Sequence, residues 1–169
     1  MMAVLRPRLP LHGGCPCGAV RHEVTALPLS LYACHCTDCQ RQSGSSFALN
    51  MPVATSAFRI TKGVTKGWRH TSPSGGATVS HFCGDCGGQI FGERDSRPDS
   101  VNLRAGSLDD TSWLKPAAHF FLCSAQPWER LSPDDALCFE AMPDATLAAA
   151  SKGWRAALVG DDEPAGKHL

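Results

Sequence analysis

Three thiols within six residues, Cys34-His35-Cys36-Thr37-Asp38-Cys39, constrain this chain more than any other stretch, because cysteines packed so closely are aimed at one point rather than spread through a core. Two pairs flank them, Cys15-Pro16-Cys17 upstream and Cys83-Gly84-Asp85-Cys86 downstream, so seven of the nine cysteines fall into three short clusters. An odd total fits disulfide pairing poorly. Residues 1–10 carry two prolines and no apolar segment of signal-peptide length, which places the chain in the cytoplasm, where disulfides are rare. Metal ligation is the better account of the clusters.

A chain of 169 residues is about one domain, and 43% hydrophobic content is enough for a sizeable core. Sixteen basic residues balance sixteen acidic ones, so no net field points to nucleic acid or an anionic membrane as a partner. No apolar run approaches the roughly 20 residues that cross a bilayer. The expected organisation is a flexible lead-in over 1–10, one zinc-binding unit over 11–143, and a C-terminal helix and tail over 144–169. A homodimer is compatible with the sequence, although no exposed apolar stripe calls for one.

Residues 19–25 alternate apolar and polar, the signature of a half-buried strand, with His22 on the same parity as Val20 and Val24. His22 reads as a partly buried strand residue with a satisfied ring. Residues 29–33 form a short strand leading to the three thiols; 37–43 form a single helical turn that Gly44 ends. Further strands are expected over 47–53, 58–61, 64–70, 77–82, 89–94, 101–105 and 120–123, separated by turns such as Lys62-Gly63 and Ser72-Pro73-Ser74-Gly75-Gly76. Spacing of about ten residues points to a mainly β, mostly antiparallel architecture. An alanine-rich helix over 145–158 and a polar tail over 160–169 complete the chain.

Gly13-Gly14-Cys15-Pro16-Cys17-Gly18 and Cys83-Gly84-Asp85-Cys86-Gly87-Gly88 surround paired thiols with glycine, as tight turns around a metal require, and a CxxC between strands is zinc-like rather than redox-like. A closed structural zinc takes four ligands, whereas a catalytic zinc keeps three and an open position. Four plus three uses all seven thiols: Cys15, Cys17, Cys83 and Cys86 on one ion, Cys34, Cys36 and Cys39 on a second. A partition giving two of the trio to the closed site, and an iron–sulfur cluster completed by Cys123 or Cys138, remain open on spacing alone. Cys123 and Cys138 otherwise read as small buried hydrophobes. Three thiolates on a divalent ion leave a net charge of minus one, which helix-start amides and Arg41 would offset.

These motifs, in this order, carry a resemblance. Gly14-Cys15-Pro16-Cys17-Gly18-Ala19-Val20-Arg21, then Cys34 to Arg41 with Gly44 and Phe47, then Phe82-Cys83-Gly84-Asp85-Cys86-Gly87, resemble the glutathione-dependent formaldehyde-activating enzyme family. Gly106-Ser107-Leu108-Asp109-Asp110, Pro116 with His119, and Trp128 are similar to its C-terminal pattern, so the likeness covers roughly 11–143. The resemblance implies a β-tent, several small antiparallel coiled sheets stitched by a structural zinc. It also implies a second zinc near a glutathione site, on the same four-and-three division of thiols, and the formation of S-(hydroxymethyl)glutathione, a carbon–sulfur lyase chemistry.

A thiol entering the open position of the trio would lose its proton and add to an aldehyde carbon. His35 and His119 are candidates for carrying that proton. Glutathione's two carboxylates call for cations, for which Arg21, Arg41 and Arg69 are the candidates, Arg41 lying nearest the trio in sequence. No basic cluster lies beside the trio in the sequence. The competing classes are a protein-interaction module with two structural zincs, and a metal store or sensor with exchangeable metal in the trio.

Overall fold

The computed structural model describes residues 6–72, 75–131, 136–142 and 146–159. The tail expected over 160–169 and the first five residues of the lead-in lie outside the described residues, as do Pro73 and Ser74 of the expected turn.

Among the described residues, eleven strands and two α-helices follow one another. They are β1 (Leu11–Gly14), β2 (Arg21–Val24), β3 (Tyr32–Cys34), α1 (Thr37–Ser43), β4 (Ala48–Ala54), β5 (Phe58–Lys62), β6 (Thr65–Thr71), β7 (Ala77–Cys83), β8 (Gln89–Arg94), β9 (Ser100–Arg104), β10 (Ala118–Phe120), β11 (Leu137–Cys138) and α2 (Thr146–Val159). The protein is mainly β. Strands β1, β2 and β5 form a small antiparallel sheet; the other eight form a larger one in the order β11-β10-β3-β4-β9-β8-β7-β6. Two pairings in the larger sheet, β10 with β3 and β10 with β11, are parallel and interrupt an otherwise antiparallel ladder.

Register divides the larger sheet into an apolar and a polar face, because side chains alternate with a period of two. Met51 faces Leu103 and Val53 faces Val101 across β4 and β9, and all four are buried in the main core with Leu31 and Ile90. The intervening positions pair Asn50 with Arg104, Gly92 with Asn102, and Thr78 with Arg94. A second, smaller apolar cluster, Tyr32, Cys34, Cys36, Ala118 and Phe120, surrounds the trio.

Several local features depart from the sequence reading. Gly13 and Gly14 lie in β1 instead of a turn, and Gly13 packs so close to β2 and the β9 end that an added Cβ would sit 2.3 Å from the Ser107 carbonyl oxygen. The apolar run Phe120 to Cys123 stops being strand at Phe120, because Phe121 takes the left-handed conformation at φ 60° and starts a 3-10 turn over Leu122–Ser124. Cys123 and Cys138 are exposed, not buried: one lies on that turn, the other on an edge strand. Helix α2 docks onto the main core through Trp154 and Leu158, and the Trp154 indole N–H donates to the Lys115 carbonyl at 3.0 Å.

Candidate metal centre and active site

The four sulfurs of Cys15, Cys17, Cys83 and Cys86 lie within 4.8 Å of one another, carried by the β1–β2 turn and the β7–β8 knuckle. Cys15 and Cys17 Sγ are 3.4 Å apart and Cys17 and Cys83 Sγ 3.8 Å. A disulfide would need about 2.05 Å, whereas a tetrahedron with metal–sulfur bonds of about 2.3 Å has edges of about 3.8 Å. The quartet therefore fits a tetrahedral ion. The backbone is built to present sulfur: Val20 N–H donates to Cys15 Sγ at 3.2 Å and draws that thiol's pKa down to about 6. Gly88 is required by space, since a Cβ there would meet Pro16 Cδ at 2.7 Å and Cys86 Sγ at 3.4 Å.

The sulfurs of Cys34, Cys36 and Cys39 form a separate group, also within 4.8 Å of one another. Among the described residues, no further Cys, His, Asp or Glu joins either group at that distance, so neither Cys123 nor Cys138 completes the trio. β3 delivers Cys34 to the sheet's polar face, and α1 then folds back over it. Cys36 caps α1, its Sγ accepting from Cys39 N–H at 3.4 Å, and Gly44 closes the helix in the left-handed conformation at φ 63°. Crowding splits the trio's proton affinities: hydrogen bonds from Cys34 and Cys36 push the Cys39 thiol down, with Arg104 helping, while sharing with Cys36 and Cys39 pushes Cys34 up. Seven soft donors in two groups can hold two metal ions, and thiolate chemistry suits zinc.

All three trio cysteines border a cavity of about 60 Å³ between α1 and the polar face of the sheet. Two cations line it, Arg94 and Arg104. Arg104 donates to Asn50 Oδ1 at 2.6 Å and to Gln42 Oε1 at 2.8 Å, and Asn50 Nδ2 lies 4.0 Å from Cys39 Sγ. Gln42 gathers the wall together, accepting also from Gln89 Nε2 at 3.2 Å and the Ser80 hydroxyl at 3.4 Å, with His70 Nε2 3.4 Å from its amide nitrogen. The Tyr32 hydroxyl accepts from Asn102 Nδ2 at 2.9 Å, and burial raises its pKa. Phe121, in its strained conformation, is part of the same wall, and such strain collects at functional sites.

The arginines named from the sequence lie elsewhere. The Arg41 side chain is 79% exposed, 3.9 Å from Asp38 one turn earlier in α1, and does not line the cavity. Arg21 pairs with Asp109 through two hydrogen bonds, and Arg69 pairs with Asp95. His35 and His119 sit behind the trio: His35 is fully buried, its Nε2 2.9 Å from His119 Nδ1, and burial lowers both pKa values. The His35 carbonyl is fixed by Gln40 Nε2 at 2.6 Å and the Ser124 hydroxyl at 3.0 Å, which ties the 3-10 turn to the trio. His22 is buried, its Nε2 2.9 Å from the Ser107 hydroxyl. Among the described residues, no helix is long and apolar enough to cross a membrane.

Residues 10–124 match the family described as glutathione-dependent formaldehyde-activating enzyme. A protein of Halomonas elongata, whose own name provisionally gives it that activity, is 28% identical over 149 residues, covering 82% of this chain and 92% of the relative. A solved protein of Rhodobacter sphaeroides is 20% identical with a TM-score of 0.49, over 76% of this chain and 98% of that one. The family match spans well over half of the chain and includes both groups of thiols; the chain belongs to the glutathione-dependent formaldehyde-activating enzyme family.

Proposed function

We propose that this protein is a zinc-dependent enzyme of carbon–sulfur lyase type that joins a thiol such as glutathione to a small aldehyde such as formaldehyde. In this reading Cys15, Cys17, Cys83 and Cys86 hold a structural zinc, and Cys34, Cys36 and Cys39 hold a second zinc with an open position. The supporting unit spans 11–143, with α2 docked on it. The observation that carries the proposal is the contrast between the two groups: the quartet has its full complement of sulfurs, while the trio has three and borders a cavity that Arg94 and Arg104 also line. Family membership supports the substrate pair, since glutathione and formaldehyde appear in the family's description and in the Halomonas relative's name.

When bound at the trio, the divalent ion would lower the pKa of an entering thiol so that thiolate exists at neutral pH. Arg104 sets a fixed positive charge beside Cys39 and offsets the negative charge of the sulfurs, while Asn50 and Gln42 hold that guanidinium in place. A cavity of about 60 Å³ has room for roughly four to six water-sized groups at about 10–15 Å³ each. It suits an aldehyde and the cysteinyl arm of a tripeptide beside the three thiols. Forming the carbon–sulfur bond moves one proton from thiol to aldehyde oxygen, with no oxidation or reduction. His70 borders the cavity and is the candidate for carrying that proton, whereas the His35 and His119 rings bond each other and do not line it.

Two serine substitutions test the division of labour. Cys36→Ser keeps a good helix cap and is expected to abolish glutathione-dependent formaldehyde consumption while leaving the melting curve nearly in place. Cys15→Ser is expected to unfold the protein, because a structural zinc contributes on the order of 10 kcal/mol against a total stability of about 5–15 kcal/mol. If Cys36→Ser unfolds as Cys15→Ser does, both groups are structural and the proposal fails.

A further inference from the structure

The end of the trio's cavity remote from the sulfurs carries hydrogen-bonding groups that the protein itself does not use. Thr78 is 8% exposed, and its hydroxyl has no partner. Asn102 Oδ1 is likewise buried and unpaired, its nitrogen being engaged with Tyr32. Arg94 stands opposite Thr78 in the β7–β8 ladder and lines the cavity, and among the described residues no carboxylate pairs with it. A neighbouring pocket of about 30 Å³, bordered by Arg97, shares Arg94 and Asn102 with this cavity. Among the described residues, Asp38 is the acidic one on the wall, and it sits on α1 with Arg41.

Leaving a buried hydroxyl and amide unpaired beside a guanidinium is costly unless a ligand satisfies them. A carboxylate does so: it accepts two parallel N–H bonds from a guanidinium and one from a hydroxyl. Turning the Asn102 amide over would add its Nδ2 as a further donor and let the Tyr32 hydroxyl donate to Oδ1. Formaldehyde offers these donors a single neutral carbonyl oxygen and no bidentate anion. In glutathione the cysteinyl arm that fits the cavity bears no carboxylate of its own.

We propose that this end of the cavity, built from Arg94, Thr78 and Asn102, is a carboxylate subsite, so that the compact molecule admitted beside the trio is a carboxylated one, a small thiol acid or a small aldehyde acid. The inference rests on the reading of the trio as the reaction site and narrows its substrate class.

The test is calorimetric binding to the zinc-loaded protein of two matched pairs, mercaptoacetate against 2-mercaptoethanol and glyoxylate against glycolaldehyde. In at least one pair the acid should bind about tenfold or more tightly than its neutral analogue, the usual size of a charge-assisted contact. Arg94→Gln should erase that advantage without changing zinc content or melting temperature. An advantage in the thiol pair assigns the carboxylate to the thiol, and one in the aldehyde pair assigns it to the aldehyde. Equal binding within both pairs, or an advantage that survives Arg94→Gln, overturns the subsite. Should Arg94→Gln not fold, Thr78→Val carries the test under the criterion of a reduced advantage. Adduct formation is scored separately: acids that bind through Arg94 but yield no thiol–aldehyde adduct leave the subsite standing and remove the carbon–sulfur chemistry.

Discussion

His22 should make the fold acid-sensitive by a calculable amount. Its ring is 1% exposed, against Phe58 and the Ser107 hydroxyl. Burial first, and the neighbouring Arg21 second, pull its pKa from 6.5 down to about 4. The folded ring is thus neutral at pH 5, where the unfolded chain's histidine is charged. Between those two pKa values the unfolded state binds more protons, so stability present above pH 6.5 is lost as the pH falls towards 4. Linkage gives a loss of about 2 kcal/mol from pH 7 to 5, and about 3 kcal/mol by pH 4. His35 and His119 push the same way, as does protonation of the thiolates, so the informative quantity is the difference between wild type and His22→Gln. Gln keeps a polar group near Ser107 without titrating. Urea unfolding at pH 7, 6 and 5 at fixed zinc should show the wild type losing about 2 kcal/mol more than the variant. Parallel stability curves would mean that His22 is protonated or solvated in the folded state, and the reasoning from burial would fall.

Two further outcomes follow from contacts around the quartet. Gly88→Ala forces a Cβ to 2.7 Å from Pro16 Cδ, so it should cost about 1–3 kcal/mol and speed loss of metal to a chelator; unchanged melting and chelation kinetics would show that the knuckle has slack. Arg21 and Asp109 are 33% and 52% exposed, so a double-mutant cycle on the pair should give a coupling below about 1 kcal/mol. Arg21→Ala should also leave glutathione binding as it was, and a large rise in KM would return Arg21 to the binding site.

The gathering of sulfurs into four and three is legible in the sequence because each cluster is local: Cys34, Cys36 and Cys39 span one turn, and the knuckle at Cys83 and Cys86 is set by its own glycines. The stop of α1 at Gly44 is legible for the same reason. Pairing partners are not local, and the parallel placement of β10 beside β3 leaves no mark in either segment. The cations of the cavity were hidden by this. Asn102 and Arg104 sit at alternate positions of β9, whose other face is apolar, and Arg94 ends β8, so all three read as solvent-facing. They become a cavity wall only because register sets Asn50 opposite Arg104 and because α1 lies over that face. Arg41, close to the trio along the chain, points outward on α1. The run Phe120 to Cys123 looked like strand because it is apolar, but the Ser124 N–H and hydroxyl bonds to the Phe121 carbonyl hold it in a turn.

The central claim is that the three sulfurs of Cys34, Cys36 and Cys39 leave a metal position open to a thiol. Zinc per chain, measured together with X-ray absorption at the zinc edge before and after glutathione is added, tests it most directly. The account predicts two zinc ions per chain, a rise in average sulfur coordination on adding glutathione, and no such rise in Cys36→Ser. A single ion per chain, or two ions whose sulfur coordination is indifferent to thiol, would contradict it.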